Sequence, residues 1–140
     1  MKMYLSGPMS GIPEFNAPKF REVAERFRGF GYEVVSPVEL NQQDEVFNFS
    51  GPGFIDKKNG GASFGAWGYF LARDITLLTS EQFDGCILLT DWEKSWGARL
   101  EVLVFLRMGI LRFRDERDFI IPLNTVISTL QESLDEFKLA

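Results

Sequence analysis

Hydrophobic positions along the chain alternate between short continuous runs and amphipathic stretches. Residues 2–5 form an apolar run stopped by Ser6, Gly7 and Pro8, the pattern of a buried strand ended by turn residues. Over 15–28, Phe20, Val23, Ala24 and Phe27 recur at i, i+3, i+4 and i+7, while Lys19, Arg21, Glu22, Glu25 and Arg26 take the other faces. That spacing predicts an amphipathic helix. Gly29 and Gly31 end it, and 32–36 reads as a second strand closed by Pro37. Further helices are predicted over 67–78, 96–108 and 125–137, the last with Ile127, Leu130, Leu134 and Phe137 on one side. Strands are predicted over 85–90, 110–113 and 119–122.

Such alternation points to a single α/β domain built on an open parallel sheet with helices on both faces. One segment does not fit the pattern. Periodicity is lost over 41–66, where Gly51, Pro52, Gly53, Gly60, Gly61 and Gly65 crowd together, so this stretch reads as a long loop insertion, either a lid or a mobile segment. Its Phe47, Phe49, Phe54 and Phe64 need burial against a ligand, a neighbouring copy or another protein.

Composition narrows the chemistry. At 140 residues, 45% hydrophobic and 25% charged, the chain is long enough for one core without staples. The lone Cys86 lies in an apolar run and reads as a small hydrophobe, consistent with a reducing cytoplasmic setting. A net charge of −5 argues against nucleic-acid binding, and the absence of any long apolar run argues against a membrane or secreted protein. With no His at all, a Ser/His/Asp triad and histidine-ligated zinc are excluded, so any acid or base is expected to be a carboxylate and no metal is expected. Neither GxGxxG nor GxxxxGK[ST] occurs, which removes the dinucleotide fingerprint and the P-loop. The basic residues Arg107, Arg112, Arg114 and Arg117 interleave with Asp115, Glu116 and Asp118 and read as mutually paired surface charge.

In open α/β sheets ligands bind beyond the carboxyl ends of the strands. Two sets of residues follow strands in this way. Ser6, Gly7, Pro8, Met9, Ser10 and Gly11 form a turn that can present backbone N–H groups, although the same turn serves equally well as structure alone. Asp91 follows the 85–90 strand, where a single Asp is as readily a cap or turn residue. Glu101 projects from a face shared with Ala98, Val104, Phe105 and Met108, and Asp74 from one shared with Trp67, Phe70, Leu71 and Leu78. Carboxylates on apolar faces are unusual without a partner. Arg73, the sequence neighbour of Asp74, is not expected to pair with it, because i,i+1 residues point apart on a helix. Arg99 and Arg107 remain possible partners for a purely structural carboxylate. Acids in an apolar pocket can be driven to different proton affinities, one serving as nucleophile and another as acid, the division of labour used in glycosidic cleavage.

The segments Tyr4-Leu5-Ser6-Gly7-Pro8-Met9, Arg73-Asp74-Ile75 and Asp91 to Glu101, with Gly97 four residues before the Glu, resemble the nucleoside 2-deoxyribosyltransferase superfamily, which includes 2′-deoxynucleoside 5′-monophosphate N-glycosidases. The similarity spans about 2–40 and 67–127 and is greatest to a branch common in bacterial and phage genomes. It implies a five-stranded parallel sheet of flavodoxin-like order, a homo-oligomer, a small deoxynucleoside or deoxynucleotide substrate and no cofactor. It further implies Glu101 as the nucleophile, Asp74 and Asp91 as acids toward the base, Tyr4 as the residue orienting the nucleophile, and Asn124 as an asparagine lent to the sugar by a neighbouring subunit. Ser6, Gly7, Pro8, Met9 and Gly97 would contact substrate. Two departures stand out: Ala98 replaces a Thr common in that superfamily, and 41–66 has no counterpart in it. Two rival expectations are a non-catalytic nucleotide sensor and an interaction domain on the same fold.

Overall fold

The structure, a computed structural model, describes residues 1–51 and 53–136. Its central strands are β1 (Lys2–Ser6) and β5 (Gly85–Leu88), and their side chains alternate between two faces. Tyr4, Cys86 and Leu88 pack into one core with Val102 and Phe105 of α5 (Trp96–Arg107) and Val126 and Leu130 of α6 (Leu123–Asp135). Met3, Leu5, Ile87 and Leu89 pack into the other with Phe20, Val23, Ala24 and Phe27 of α1 (Ala17–Gly29). The period of two therefore places the even-numbered β1 residues Tyr4 and Ser6 on the α5 side.

Five strands form the main sheet in the order β2-β1-β5-β6-β7, with β2 at Glu33–Val35, β6 at Phe113–Arg114 and β7 at Ile120–Ile121. The β1–β2, β1–β5 and β5–β6 pairs are parallel, but β6–β7 is antiparallel. The expectation of an all-parallel sheet is corrected here, and the reason lies in the connection. Only residues 115–119 join β6 to β7, folded on the Asp115 carboxylate that accepts from the Arg117 and Phe119 amides at 2.8 and 3.0 Å. A parallel pairing would need a crossover of a dozen residues or more. β6 also begins later than predicted, because Gly109 (φ +76°) and Ile110 close the end of α5 through bonds to the Leu106 and Phe105 carbonyls.

The segment 41–66 is not structureless. It follows and includes the end of α2 (Pro37–Gln43), then α3 (Glu45–Phe49), a hairpin of β3 (Ile55–Asp56) with β4 (Gly61–Ala62), and the start of α4 (Phe64–Ser80). α3 and the β3–β4 hairpin are too short for periodicity to reveal them. Phe15, Ile55 and Ala66 make a third small core, with Phe47, Phe54 and Phe70 packed against it. Phe49 and Phe64 remain 87% and 94% exposed. The first helix begins at Ala17 rather than Phe15, because Glu14, Phe15 and Asn16 all take left-handed φ values of 57°, 54° and 63°. The predicted end of the last helix at Phe137 lies outside the described residues. Among the described residues no helix is long and apolar enough to cross a membrane.

The 7–16 turn is bolted to the β3–β4 hairpin by Gly11 N–H to Gly60 O at 2.8 Å and Glu14 N–H to Lys58 O at 3.3 Å. Gly60 has φ +76°, and a Cβ there would lie 2.0 Å from the Ile12 carbonyl oxygen. Gly60→Ala is accordingly expected to destabilise the protein by at least about 2 kcal/mol, since a side chain is strained there and the backbone must separate. Urea unfolding checks this, and a loss below about 0.5 kcal/mol would show that the bolt does not hold the native state together.

Candidate functional site

Strand order reverses between β1 and β5, so a crevice opens beyond their carboxyl ends. Two consequences of the β1 alternation meet there. Tyr4 and Ser6 share the face that looks toward α5, and Glu101 sits on the buried side of that helix at 6% exposure. The Tyr4 hydroxyl donates to Glu101 Oε2, and the Ser6 hydroxyl donates to Oε1 at 2.9 Å. Burial, and then the negative charge of Asp74, push the Glu101 carboxyl up to about 8, against the pull of the two hydroxyl bonds and of Arg73. The Tyr4 phenol is driven well above its ordinary value by burial and by Glu101, so it keeps its proton and acts as a donor.

Asp74, on α4, is also buried, and burial raises its proton affinity while Arg73 lowers it. Contrary to the sequence expectation, Arg73 is its partner: Nε and Nη2 donate to Asp74 Oδ1 at 3.0 and 2.8 Å. The neighbour rule describes where side chains leave the helix, whereas the long guanidinium arm folds back. Its return is anchored by Asp44, whose Oδ2 accepts from Arg73 Nη1 at 3.2 Å, and by the Phe70 ring 5.1 Å away. Asp44 also caps α3 by accepting from the Val46 and Phe47 amides at 2.9 and 3.3 Å. One aspartate thus ties the 41–66 segment to the acidic cluster.

Glu101, Asp74 and Arg73 line one pocket together with Gly7, Met9, Ser10, Gly97 and Ser95. Phe15, Phe47, Phe70 and Trp67 supply aromatic walls around a cavity of about 80 Å³. A second cleft continues from it past Ser10, Ser95 and Gly97 toward Pro8, Lys94, Trp96 and Phe64. Gly7 is needed at the turn, because a Cβ would lie 2.6 Å from that of Leu89. Among the described residues no group of three or more Cys, Asp or Glu side chains is placed to hold a metal ion.

Of the residues singled out from sequence, the structure brings Tyr4, Ser6, Gly7, Met9, Asp74, Gly97 and Glu101 together, with Pro8 at the continuing cleft. Asp91 and Asn124 line neither of these clefts. Asp91 takes φ 68° after the strand, is half exposed, and pairs with Lys94 at 3.3 Å, the turn role. Asn124 is exposed in the first turn of α6, lies in no described pocket, and is not its cap, which is Pro122. The arginine cluster is only partly self-paired: Arg114 reaches Asp118 at 3.6 Å, whereas Glu116 pairs instead with Lys19 at 2.9 Å. Sequence reasoning missed Ser95, Asn41, Asp44 and the role of Arg73. Ser95 had a readable signal, since a Ser three residues before Ala98 is an N-cap pattern, and its Oγ accepts from the Ala98 amide at 3.2 Å.

The profile of a domain of unknown function, DUF4406, matches residues 1–50, which carry β1, the 7–16 turn, α1 and Asp44. No curated protein and no solved structure matches the chain. What the fold and site define is therefore a class: an α/β protein with a mixed, mostly parallel sheet and an acidic, aromatic-walled pocket beyond β1 and β5.

Proposed function

We propose that the protein cleaves or transfers the N-glycosidic bond of a 2′-deoxynucleoside or its 5′-monophosphate, with Glu101 as nucleophile. The observation that carries this reading is the Glu101 carboxyl, buried in the pocket and held from both oxygens by Tyr4 and Ser6. Two fixed donors aim the group without occupying all its lone pairs. In the first step a Glu101 oxygen bonds to the anomeric carbon, the carbon–nitrogen bond breaks, and its electron pair leaves with the base. Asp74 lines the same pocket, where its carboxyl assists departure by passing to the leaving base a proton taken up from solvent. In the second step water or another base attacks the same carbon and releases the carboxylate, so one difficult displacement becomes two.

The fold is compatible with the resemblance noted in the sequence. What supports it is a main sheet in the order β2-β1-β5-β6-β7, parallel except for its last strand. In this reading the chain works in the cytoplasm as a homo-oligomer, and Asn124, exposed on its own copy, would reach a neighbour's sugar. Incubation with deoxynucleosides and their monophosphates, with and without free adenine or cytosine, is expected to release or exchange base, followed by chromatography. A full panel without either product would overturn the reaction. The rival sensor is favoured by the burial of Glu101 beside Asp74, which pushes its carboxyl up to about 8 and favours a hydrogen-bonding group over a ready nucleophile at neutral pH. A thermal shift by one nucleotide, with no base released from it, is the result that this rival predicts.

A further inference from the structure

Asn41 occupies the last turn of α2 and lines the pocket beside Phe47, yet it is only 6% exposed and its Oδ1 is buried with no hydrogen-bond partner. A buried acceptor left without a donor is costly, and such groups are rare in native structures. Local structure does not require an Asn here. The helix is capped through Asp44 N–H bonding the Asn41 backbone carbonyl at 3.1 Å, a bond that any residue at 41 can make. A hydrophobic side chain of similar size would suit the free protein better.

The surroundings restrict what can donate to it. Phe15, Phe47 and Phe70 form a chain of edge-to-face contacts, with centroids 5.9 and 5.7 Å apart, along the wall that Asn41 shares. Such a wall receives a flat ring, and a ring seated there meets a side-chain amide with its edge. The donors on the edge of a heteroaromatic ring are N–H groups. The carboxyls of Glu101 and Asp74 also line this pocket, leaving the Asn41 amide as a neutral group free to read that edge. The amide's terminal torsion is broad and roughly two-fold, so rotation about it brings the oxygen round to a donor in the pocket.

We propose that Asn41 is a specificity-determining residue that accepts a hydrogen bond from the exocyclic amino group of a heteroaromatic base, so that the pocket prefers amino-substituted bases. This rests on the glycosidic reading above for the identity of the ligand. The amino-bearing ligand satisfies the buried oxygen, whereas an analogue without the amino group leaves it unpaired, which is how a polar site rejects a near-isostere. A single neutral hydrogen bond of this kind corresponds to about a 10- to 100-fold preference.

The test compares 2′-deoxyadenosine with purine 2′-deoxyriboside, which differ only in that amino group, by calorimetric binding to the Glu101→Gln protein. Deoxyadenosine is expected to bind about 10- to 100-fold more tightly, the ratio is expected to fall to within about threefold in Glu101→Gln/Asn41→Leu, and Glu101→Gln/Asn41→Asp is expected to keep a preference. Thermal melting of the unliganded Asn41→Leu protein controls for folding, and it is expected to melt no lower than the parent. A preference that survives Asn41→Leu overturns the role of Asn41 while leaving the Glu101 chemistry standing. Binding with full discrimination but no base release by the wild-type protein supports Asn41 and sinks the chemistry. If neither nucleoside binds, both are overturned.

Discussion

Glu101→Gln is expected to reduce base release by at least about a thousandfold, because the amide cannot form the glycosyl ester on which the two-step displacement depends. The same substitution is expected to stabilise the protein at alkaline pH. In the folded state the Glu101 carboxyl is pushed up to about 8 from its ordinary 4.5, so the native protein holds a proton that the unfolded chain has already lost. Stability from this group is complete below about pH 4.5 and falls as pH rises through about 8, by an amount on the order of a few kcal/mol. Gln carries no such proton. Urea unfolding should therefore give nearly equal stabilities for the two proteins at pH 5 and a more stable variant at pH 9. Turnover follows the opposite slope in the wild-type protein, since the nucleophile must be ionised, and kcat/KM should climb with pH until about 8. Retained base release in the variant would remove Glu101 from the mechanism, and parallel stability curves would mean that its buried carboxyl is not protonated.

Removing the cation between the acids should have the next largest effect. Arg73 bonds Asp74 at 2.8 Å and Asp44 at 3.2 Å, with both carboxylates largely buried. Arg73→Met deletes the charge but keeps much of the apolar arm against Phe70, and it is expected to cost about 3 kcal/mol at pH 7, the consequence of leaving buried carboxylates without their cation. Arg73 lowers the proton affinity of both Asp74 and Glu101, so its loss raises both. Groups whose folded values lie above their unfolded ones favour the native state at low pH and lose that contribution as pH rises, so the deficit should be widest above neutrality and narrow toward pH 5. Denaturant melts at pH 5, 7 and 9 measure it. A variant within about 0.5 kcal/mol of wild type at pH 9 would show that the bridge is a surface pair of little weight, whatever its distances.

Much of the architecture could be read along the chain, and the reason is length. α1, α4, α5 and α6 each run for three turns or more, enough for a 3.6-residue repeat to stand out, and β1 and β5 are apolar runs cut off by turn residues. Where elements are shorter the reading failed. α3 has five residues and the β3–β4 hairpin two per strand, so 41–66 looked like a loop although Asp44, Ile55 and Ala66 hold it in place. The direction of β7 escaped because periodicity reports which face a strand buries and not which way it runs.

The site divides along the same line. Glu101 and Asp74 could be picked out one at a time, since a carboxylate on an apolar helical face contradicts its surroundings wherever the helix later packs. Which groups complete them is a matter of contacts across the chain: Tyr4 lies 97 residues from Glu101, and Asp44 lies 29 from Arg73. No local pattern specifies such distances. Asp91 shows the converse, a plausible acid by position that the turn after β5 directs to solvent and to Lys94. Sequence by itself determined that this is a histidine-free α/β domain with carboxylates set on apolar helical faces. The tertiary structure alone decided which carboxylates share a pocket, that Arg73 stands between two of them, and that Asn41 carries an unsatisfied oxygen beside the aromatic wall, because burial and hydrogen-bond satisfaction exist only once distant segments have been packed together.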